Sequence, residues 1–439
     1  MAFLPSNHPD RFILAEEVHA RPPLLLPTPA CASYVALLVD PENRTKEHGH
    51  LKSLCESFGM PGPSDIATHL STTLGGLHVK WERHGEFSGY TFAVLGEGSH
   101  QGHFGNTAIR HLPEQWLAKI PGQTVAAAHL MLTKMTAEGS DTESSYWQQI
   151  FGNNMVVGAS INGGAGVVTT DFKIHADGFA RFVLQDLSLT PRQAGQTMQR
   201  LFEIEAYRTL ALLALPIARR QSPRILAIEL SLAQLTDGIA REGGDDEKLL
   251  HELTRLAAEV ESGLAASQFR FGACKAYYEL VTTRIGELRE ERLSGLQTIE
   301  EFMARRFKPA VATCNTVSQR LRDLSERVAQ ASGLLSTRVD IARERQNQSL
   351  LSSMDQRAKM QLRLQQTVEG LSIAAIVYYI VGLVSYILKA MKSGGIAVNS
   401  DLLTGLAVPV LIAVVMIGVR RVRKNLSEPD KSAEALHSH

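Results

Sequence analysis

Apolar residues alternate with polar ones, or run continuously between turn residues, in the first part of the chain. This pattern predicts strands at Tyr34–Asp40, Leu77–Arg83, Phe87–Leu95, Val125–Leu132, Met155–Ser160, Val167–Ile174 and Phe179–Gln185. His84-Gly85, Asn162-Gly163 and Asp177-Gly178 fall between successive strands, where glycine supplies the positive φ of a tight hairpin. A helix at Thr45–Phe58 follows the first strand, which points to an α/β layered body with a mixed, largely antiparallel sheet. Beyond Pro191 the period changes to that of helices, over Arg192–Leu215, Arg224–Glu242, Asp245–Gln268 and Tyr277–Phe307. Pro216, Pro223 and Pro309 are expected to punctuate them, and Gly243-Gly244 before Asp245-Asp246 to end one helix and cap the next.

After Pro309 no strong breaker interrupts the chain. Val317, Leu321, Leu324, Val328, Ala331 and Leu335 repeat at alternating three and four, a coiled-coil seam that drifts near Arg338. It fits either contact between copies or packing against the chain's own earlier helices. Leu371–Leu388 and Leu402–Val419 are uncharged apolar runs of membrane-spanning length. Arg420, Arg421, Arg423 and Lys424 follow the second run, and Arg357, Lys359 and Arg363 precede the first, so the positive-inside rule places both termini in the cytoplasm. The organisation expected is an α/β domain over 1–190, a helical region over 191–308 and a stalk helix over 309–370. Spans at 371–388 and 402–419 then flank a short periplasmic loop at 389–401, with a basic tail at 420–439.

Composition removes several function classes. The chain has 439 residues with 45 Lys plus Arg against 45 Asp plus Glu, so no basic excess points to nucleic acid. Cys31, Cys55, Cys274 and Cys314 are too far apart for a CxxC pair, and the N-terminus lacks a signal-peptide pattern. The glycines at 96–105 and 163–166 fit neither a P-loop nor a dinucleotide fingerprint, and no nucleophile elbow or kinase motif is present. No cofactor and no catalytic residue is therefore assigned.

Four groups of residues carry candidate chemistry. Glu16, Glu17, His19 and Arg21 gather acid, base and anion-gripping types ahead of Pro22-Pro23, and the plainer reading is the charged end of a short helix. Trp81–Phe87 is dense in charge but crosses a hairpin turn, where solvated charges are expected. His48 and His50 form an HxH pair without a third ligand, so no metal is assigned. In the first apolar run, Ser372, Tyr379 and Tyr386 recur every seven residues, with Ala375, Tyr378, Gly382 and Ser385 beside them. This stripe suits a pore lining or a helix interface, and interfacial tyrosines account for Tyr386. Lys389 and Lys392 follow it at the outer mouth, where cationic side chains disfavour divalent cations.

The stretches HPDRFILAEEVHARPP, KWERHGEFSGYTF, LFEIEAYRTLALLALPIAR and ERQNQSLLSSMDQRAKMQLRLQQTVEGLSIAAIVYYIVGLVSYI closely resemble a bacterial family of uncharacterised membrane-anchored proteins with a domain of unknown function. The architecture is also similar to the CorA-type magnesium channel superfamily, whose members are homopentamers with Gly-Met-Asn after the first span. This chain reads Lys389-Ala390-Met391-Lys392-Ser393-Gly394-Gly395 there. The leading expectation is thus a multi-pass inner-membrane protein of CorA-like architecture, a homo-oligomer handling ions under a cytoplasmic sensor domain. The alternatives are a non-conducting anchor or scaffold presenting a cytoplasmic binding domain, and a membrane-tethered enzyme using the Glu17, His19 and Arg21 neighbourhood.

Overall fold

The computed structural model describes residues 5–17, 22–96, 104–135, 143–241, 245–393 and 400–426. The chain divides into two compact units, Met1–Leu335 and Ser336–His439. The first unit opens with α1 (Arg11–Glu17), β1 (Ala30–Leu38), α2 (Arg44–Ser57), β2 (His69–Leu74), β3 (Leu77–Arg83) and β4 (Phe87–Leu95). It continues with β5 (Gln123–Lys134), α3 (Glu143–Phe151), β6 (Val157–Ile161), β7 (Gly166–Thr170) and β8 (Ala180–Asp186). The helices α4 (Pro191–Leu212), α5 (Ala214–Ala240) and α6 (Asp246–Leu288) precede the short β9 (Glu291–Arg292) and α7 (Ile299–Arg306). Last come α8 (Lys308–Ser393) and α9 (Ser400–Leu426).

The strands form one mixed sheet in the order β2-β3-β4-β1-β5-β8-β7-β6-β9. Every pairing is antiparallel except β5 with β8. The hairpins lie where turn chemistry predicts them; Asn162 and Gly163, both at positive φ, join β6 to β7. Because side chains alternate across a strand, the sheet has two distinct faces. Val35, Leu37, Val79, Trp81, Tyr90 and Phe92 pack with Leu51, Leu54 and Cys55 of α2, and Met131 and Val183 pack with Ile150 and Phe151 of α3. On the opposite face Tyr34 stacks on Phe202 of α4 with ring centroids 5.2 Å apart, and Phe87 meets Tyr207 edge-on.

One buried carboxylate ties α2 to the sheet. Glu47 is fully buried, and its Oε1 accepts from Trp81 Nε1 at 3.1 Å and from Tyr90 Oη at 2.9 Å. Burial and the Glu47 charge together push the Tyr90 phenol well above its ordinary value, so it stays a donor. α4 starts with a capping box between Thr190 and Gln193 and with Pro191 in its first turn.

The helical reading needs two corrections. Pro216 and Pro223 do not break the chain: both lie in α5, with Pro216 in the first turn, where no amide donor is needed. Pro223 is interior and is carried by a buried stripe of Ala218, Ile225, Ile228 and Leu232, because tertiary packing outweighs propensity. The predicted Asp245–Gln268 and the first part of Tyr277–Phe307 instead form one 43-residue helix capped by Asp245, which ends at Leu288 with Arg289 left-handed, and the rest of the second segment holds β9 and the separate α7. The coiled-coil seam also resolves. Val317, Leu321, Leu324, Val328, Ala331 and Leu335 are all buried within the first unit. Beside them Arg320 pairs with Glu229 of α5 at 2.7 Å, and Ser325 donates to Glu261 of α6. That seam packs against the chain's own helices.

The second unit holds the rest of α8, which totals 86 residues, and α9. Among the described residues one helix is long and apolar enough to cross a membrane, and its apolar window is not buried within the chain. The other apolar run, Leu402–Val419, lies in α9 with Pro409 inside it.

Gly195 sets how the N-terminal segment crosses α4. A Cβ there would sit 1.7 Å from the Leu24 carbonyl oxygen, and next to it Leu26 N donates to Pro191 O at 2.9 Å. On helix propensity alone Gly195→Ala would gain about 1 kcal/mol. The clash instead predicts a net loss of roughly 1–3 kcal/mol in thermal or urea unfolding. A variant as stable as the parent would show that Leu24–Leu26 does not lie on α4.

Candidate functional site

Glu16 and Glu17 end α1 in the backbone trace, but their side chains, and all of His19 and Arg21, lie outside the described residues. The HxH pair separates. His48 Nε2 is 2.8 Å from Ser64 O and His50 Nε2 is 3.0 Å from Trp116 O, with the His50 ring stacked on Trp116. Two positions apart on a helix, the two rings take different carbonyls instead of converging. Among the described residues no three His, Cys, Asp or Glu side chains gather as a metal site. The four cysteines are buried and form no disulfide.

The charges of Trp81–Phe87 are not simply solvated, contrary to the hairpin expectation. Trp81 is the buried donor to Glu47, and the Arg83 guanidinium lies over its ring at 5.1 Å. Lys80 pairs with Glu82 at 3.1 Å with both side chains largely covered, and Glu86 receives a bidentate Arg270 from α6. Behind this turn Tyr207 and Tyr277 stack at 5.5 Å, and Phe87 meets both edge-on. Glu203 of α4 binds Arg284 of α6, which also reaches Glu287 at 3.1 Å, while Arg200 returns to Glu287 at 2.9 Å. Sequence separation hid the Glu86–Arg270, Glu203–Arg284 and Arg200–Glu287 pairs, because in each the carboxylate and its cation lie on different elements.

Tyr34, Lys80, Glu82, His84, Glu203 and Tyr207 line a cleft at this seam with a cavity of about 20 Å³, room for one water. Burial first, then the neighbouring Tyr207, Glu203 and Glu82, hold the Tyr34 phenol well above its ordinary value. Gly89 makes that position possible, since a Cβ there would meet Tyr34 Oη at 2.9 Å. The arrangement clamps α4 and α6 to the sheet.

Two further polar clusters lie on the sheet. Asp171 has a buried carboxylate that accepts from Asn154 Nδ2 at 2.8 Å and from Lys173 N at 3.1 Å; His175 Nε2 is 3.0 Å away but poorly aligned for a hydrogen bond. Between them Phe172 is left-handed, φ 52°, an uncommon state for a bulky residue, braced by Phe302 and the Arg208 guanidinium. Ser33 Oγ and His129 Nδ1 are 2.8 Å apart at directly paired positions of β1 and β5, and His129 stacks on Phe179 at 3.9 Å. The cavity beside His129 is about 10 Å³. A wider cleft of about 670 Å³ lies between α6 and α8, lined by Ser267, Gln268, Lys275, Asn315, Gln319 and Arg322 among others. Arg322 is tied there to Ser318 and Gln319.

The stripe on α8 differs from these clusters in being exposed. Tyr378, Tyr379 and Tyr386 are each at least three-quarters exposed, Ser372 and Ala375 are exposed, and Gly382 and Ser385 are half-buried. Ser372 Oγ donates back to Val368 O at 2.9 Å, so its proton is used within its own helix. Val377 on the opposite side is buried, with Ile373, Ile380, Val381, Val384 and Leu388 half-buried around it. On α9, Val408, Leu411, Val415 and Val419 are half-buried. Lys389 is exposed one turn beyond Tyr386, and the Lys392 side chain lies outside the described residues.

His129 generates a pH prediction. Burial holds its imidazole down at about 4 from an ordinary 6.5, with Arg181 acting in the same direction and Asp177 against it. The native state therefore keeps the ring neutral while the unfolded chain takes up a proton below about 6.5. Stability is fully present above that pH and falls as pH drops towards 4, by roughly 3 kcal/mol. Thermal unfolding between pH 7 and 4.5 is expected to fall less steeply in His129→Gln than in the parent. Parallel curves would contradict the assignment.

No curated protein matches the chain. A family model described as "Protein of unknown function (DUF3422)" matches residues 6–426. That match spans the mixed sheet, the helical region and the long C-terminal helices, and the chain belongs to this family.

Proposed function

We propose that the chain is a membrane-anchored scaffold: α8 and α9 cross the bilayer as a hairpin, and the α/β unit is held at the cytoplasmic surface as a binding domain. The observation that carries this reading is the uncharged stretch Leu371–Leu388 on α8, whose apolar surface is left mostly exposed within the chain apart from the side around Val377. Exposed to water, that surface is unfavourable by about 25 cal/mol per Å²; hydrocarbon removes the penalty. Two half-buried faces support the hairpin, the Val377 face of α8 and the Val408–Val419 face of α9. The basic residues beyond Val419 support cytoplasmic termini.

Ion handling in the CorA manner is the second reading, favoured by the unbroken helix that runs from the first unit into the apolar stretch. The chemistry of the stripe supports the scaffold better. Ser372 spends its proton on its own helix, Tyr379 and Tyr386 are bulky rings seven residues apart, and Lys389 follows on the same face. The enzyme reading gains nothing from the clusters on the sheet, where the cavities beside Tyr34 and His129 are no larger than a water molecule.

The full chain is expected to stay with the membrane pellet after alkaline carbonate extraction. A fluorescent reporter fused after His439 is expected to be active in the cytoplasm, and an export-dependent phosphatase at the same point silent. Val377→Lys combined with Ile380→Lys, each about 2.5–3.5 kcal/mol unfavourable at mid-bilayer, should cut the membrane-bound fraction several-fold. Release of the parent by carbonate, or phosphatase activity after His439, would overturn the reading.

A further inference from the structure

The heptad stripe of the apolar stretch does not begin at the membrane. Counted back from Ser372, the alternation of three and four continues without a break through Val368, Gln365, Gln361, Ala358, Met354 and Leu351. On this exposed part of α8, Leu351, Met354 and Val368 are each more than half exposed. The positions facing away are polar at Ser352, Ser353, Gln356, Arg363, Gln366 and Thr367, with the exposed Met360 as an apolar exception. The sequence pattern looks polar overall because two of the stripe's own layers are glutamines, which is what hid it.

We propose that this face of α8, from Leu351 through Tyr386, is the parallel, in-register interface of a homo-oligomer, and that its occupant is the same face of α8 from other copies of the chain. The membrane part of the proposal rests on the anchored reading; the part from Leu351 to Val368 does not. The chain's own helices are poor occupants. The covered side of α8 around Val377 lies roughly 160° from Tyr379 at 100° per residue, so an α9 packed there leaves the stripe open. α9 has 27 residues, so as a hairpin partner it runs out near Thr367. A partner must match a seven-residue repeat that passes from water into the apolar stretch at one fixed place. A second α8 in the same orientation does so at every layer.

The stripe also carries information on number and register. Leu350, Leu362, Leu364 and Leu371 flank it, alternating with the charged Asp355, Arg357 and Glu369, and where the leucines widen the face it suits a bundle of more than two helices rather than a narrow two-stranded seam. Polar residues at core positions fix register at a cost in stability. The Gln361 and Gln365 layers take that role, with Gln365 also bonded to Glu369 at 3.0 Å.

Cysteine scanning of the full chain in native membranes tests the interface. Met354→Cys, Gln361→Cys and Val368→Cys lie on the stripe, and Gln356→Cys, Arg363→Cys and Gln366→Cys lie outside it. The four native cysteines are buried, and the parent chain supplies the background. Mild copper phenanthroline oxidation is expected to join like-numbered stripe cysteines at least ten-fold faster than the outer ones, since like-numbered pairs meet only between parallel helices in register. Leu351→Glu with Val368→Glu, at exposed positions that leave folding intact, should lower crosslinking at Gln361→Cys about ten-fold. Equal rates on and off the stripe, or none on it, would overturn the proposal. Crosslinking of the stalk positions in a chain that carbonate extracts would sink the anchored reading and keep the interface. A carbonate-resistant chain without stripe crosslinks would do the reverse.

Discussion

A helix of 86 residues stays ordered only where its apolar stripe finds cover, and α8 carries two such stripes that are out of step with one another. Up to Leu335 its buried stripe is satisfied by α5 and α6. From Leu351 onward a new stripe begins, on helical positions out of step with the first. The polar stretch between them, DIARERQNQ, buries nothing in the chain and separates the two roles. An inner partner holds the base, and the proposed outer partners are other copies and the bilayer.

The first unit is built to hold that base firmly. α2 is pinned beneath the sheet by Glu47 through Trp81 and Tyr90. α4 and α6 are clamped above it by stacked aromatics and by the Glu86–Arg270 and Glu203–Arg284 pairs. These ion pairs are partly buried, where losing one partner costs more than at the surface, so they favour one docking geometry. Their charges hold layers together, so the dense acidic and basic stretch Trp81–Phe87 forms a joint between the sheet and α6.

Much of the sheet was legible because its strands alternate cleanly: Leu77–Arg83 and Phe87–Leu95 coincide with the observed limits, and the hairpins fall on their glycines. β2, HLSTTL, was not, since its burial is partial and its polar residues hide the period. Pro223 misled because local propensity was overruled by a packed stripe, and Arg289 because a left-handed stop at a non-glycine leaves no compositional mark. Among the candidate sites the Ser372 stripe was readable from its seven-residue spacing. Its continuation below Val368 was not, because glutamine at two consecutive layers reads as solvated surface until the helix is seen to be continuous and exposed there. The ion-pair clamp could not be read at all, as its partners lie on separate elements.

Whether α8 serves its own chain at its base and other copies above it is decided by the native mass of the intact protein in lipid nanodiscs, compared with the chain ended at Leu335. The intact chain should run as a multiple of at least three protomers and the shortened one as a single protomer. A single protomer in both would contradict the division of α8 between its own chain and its copies.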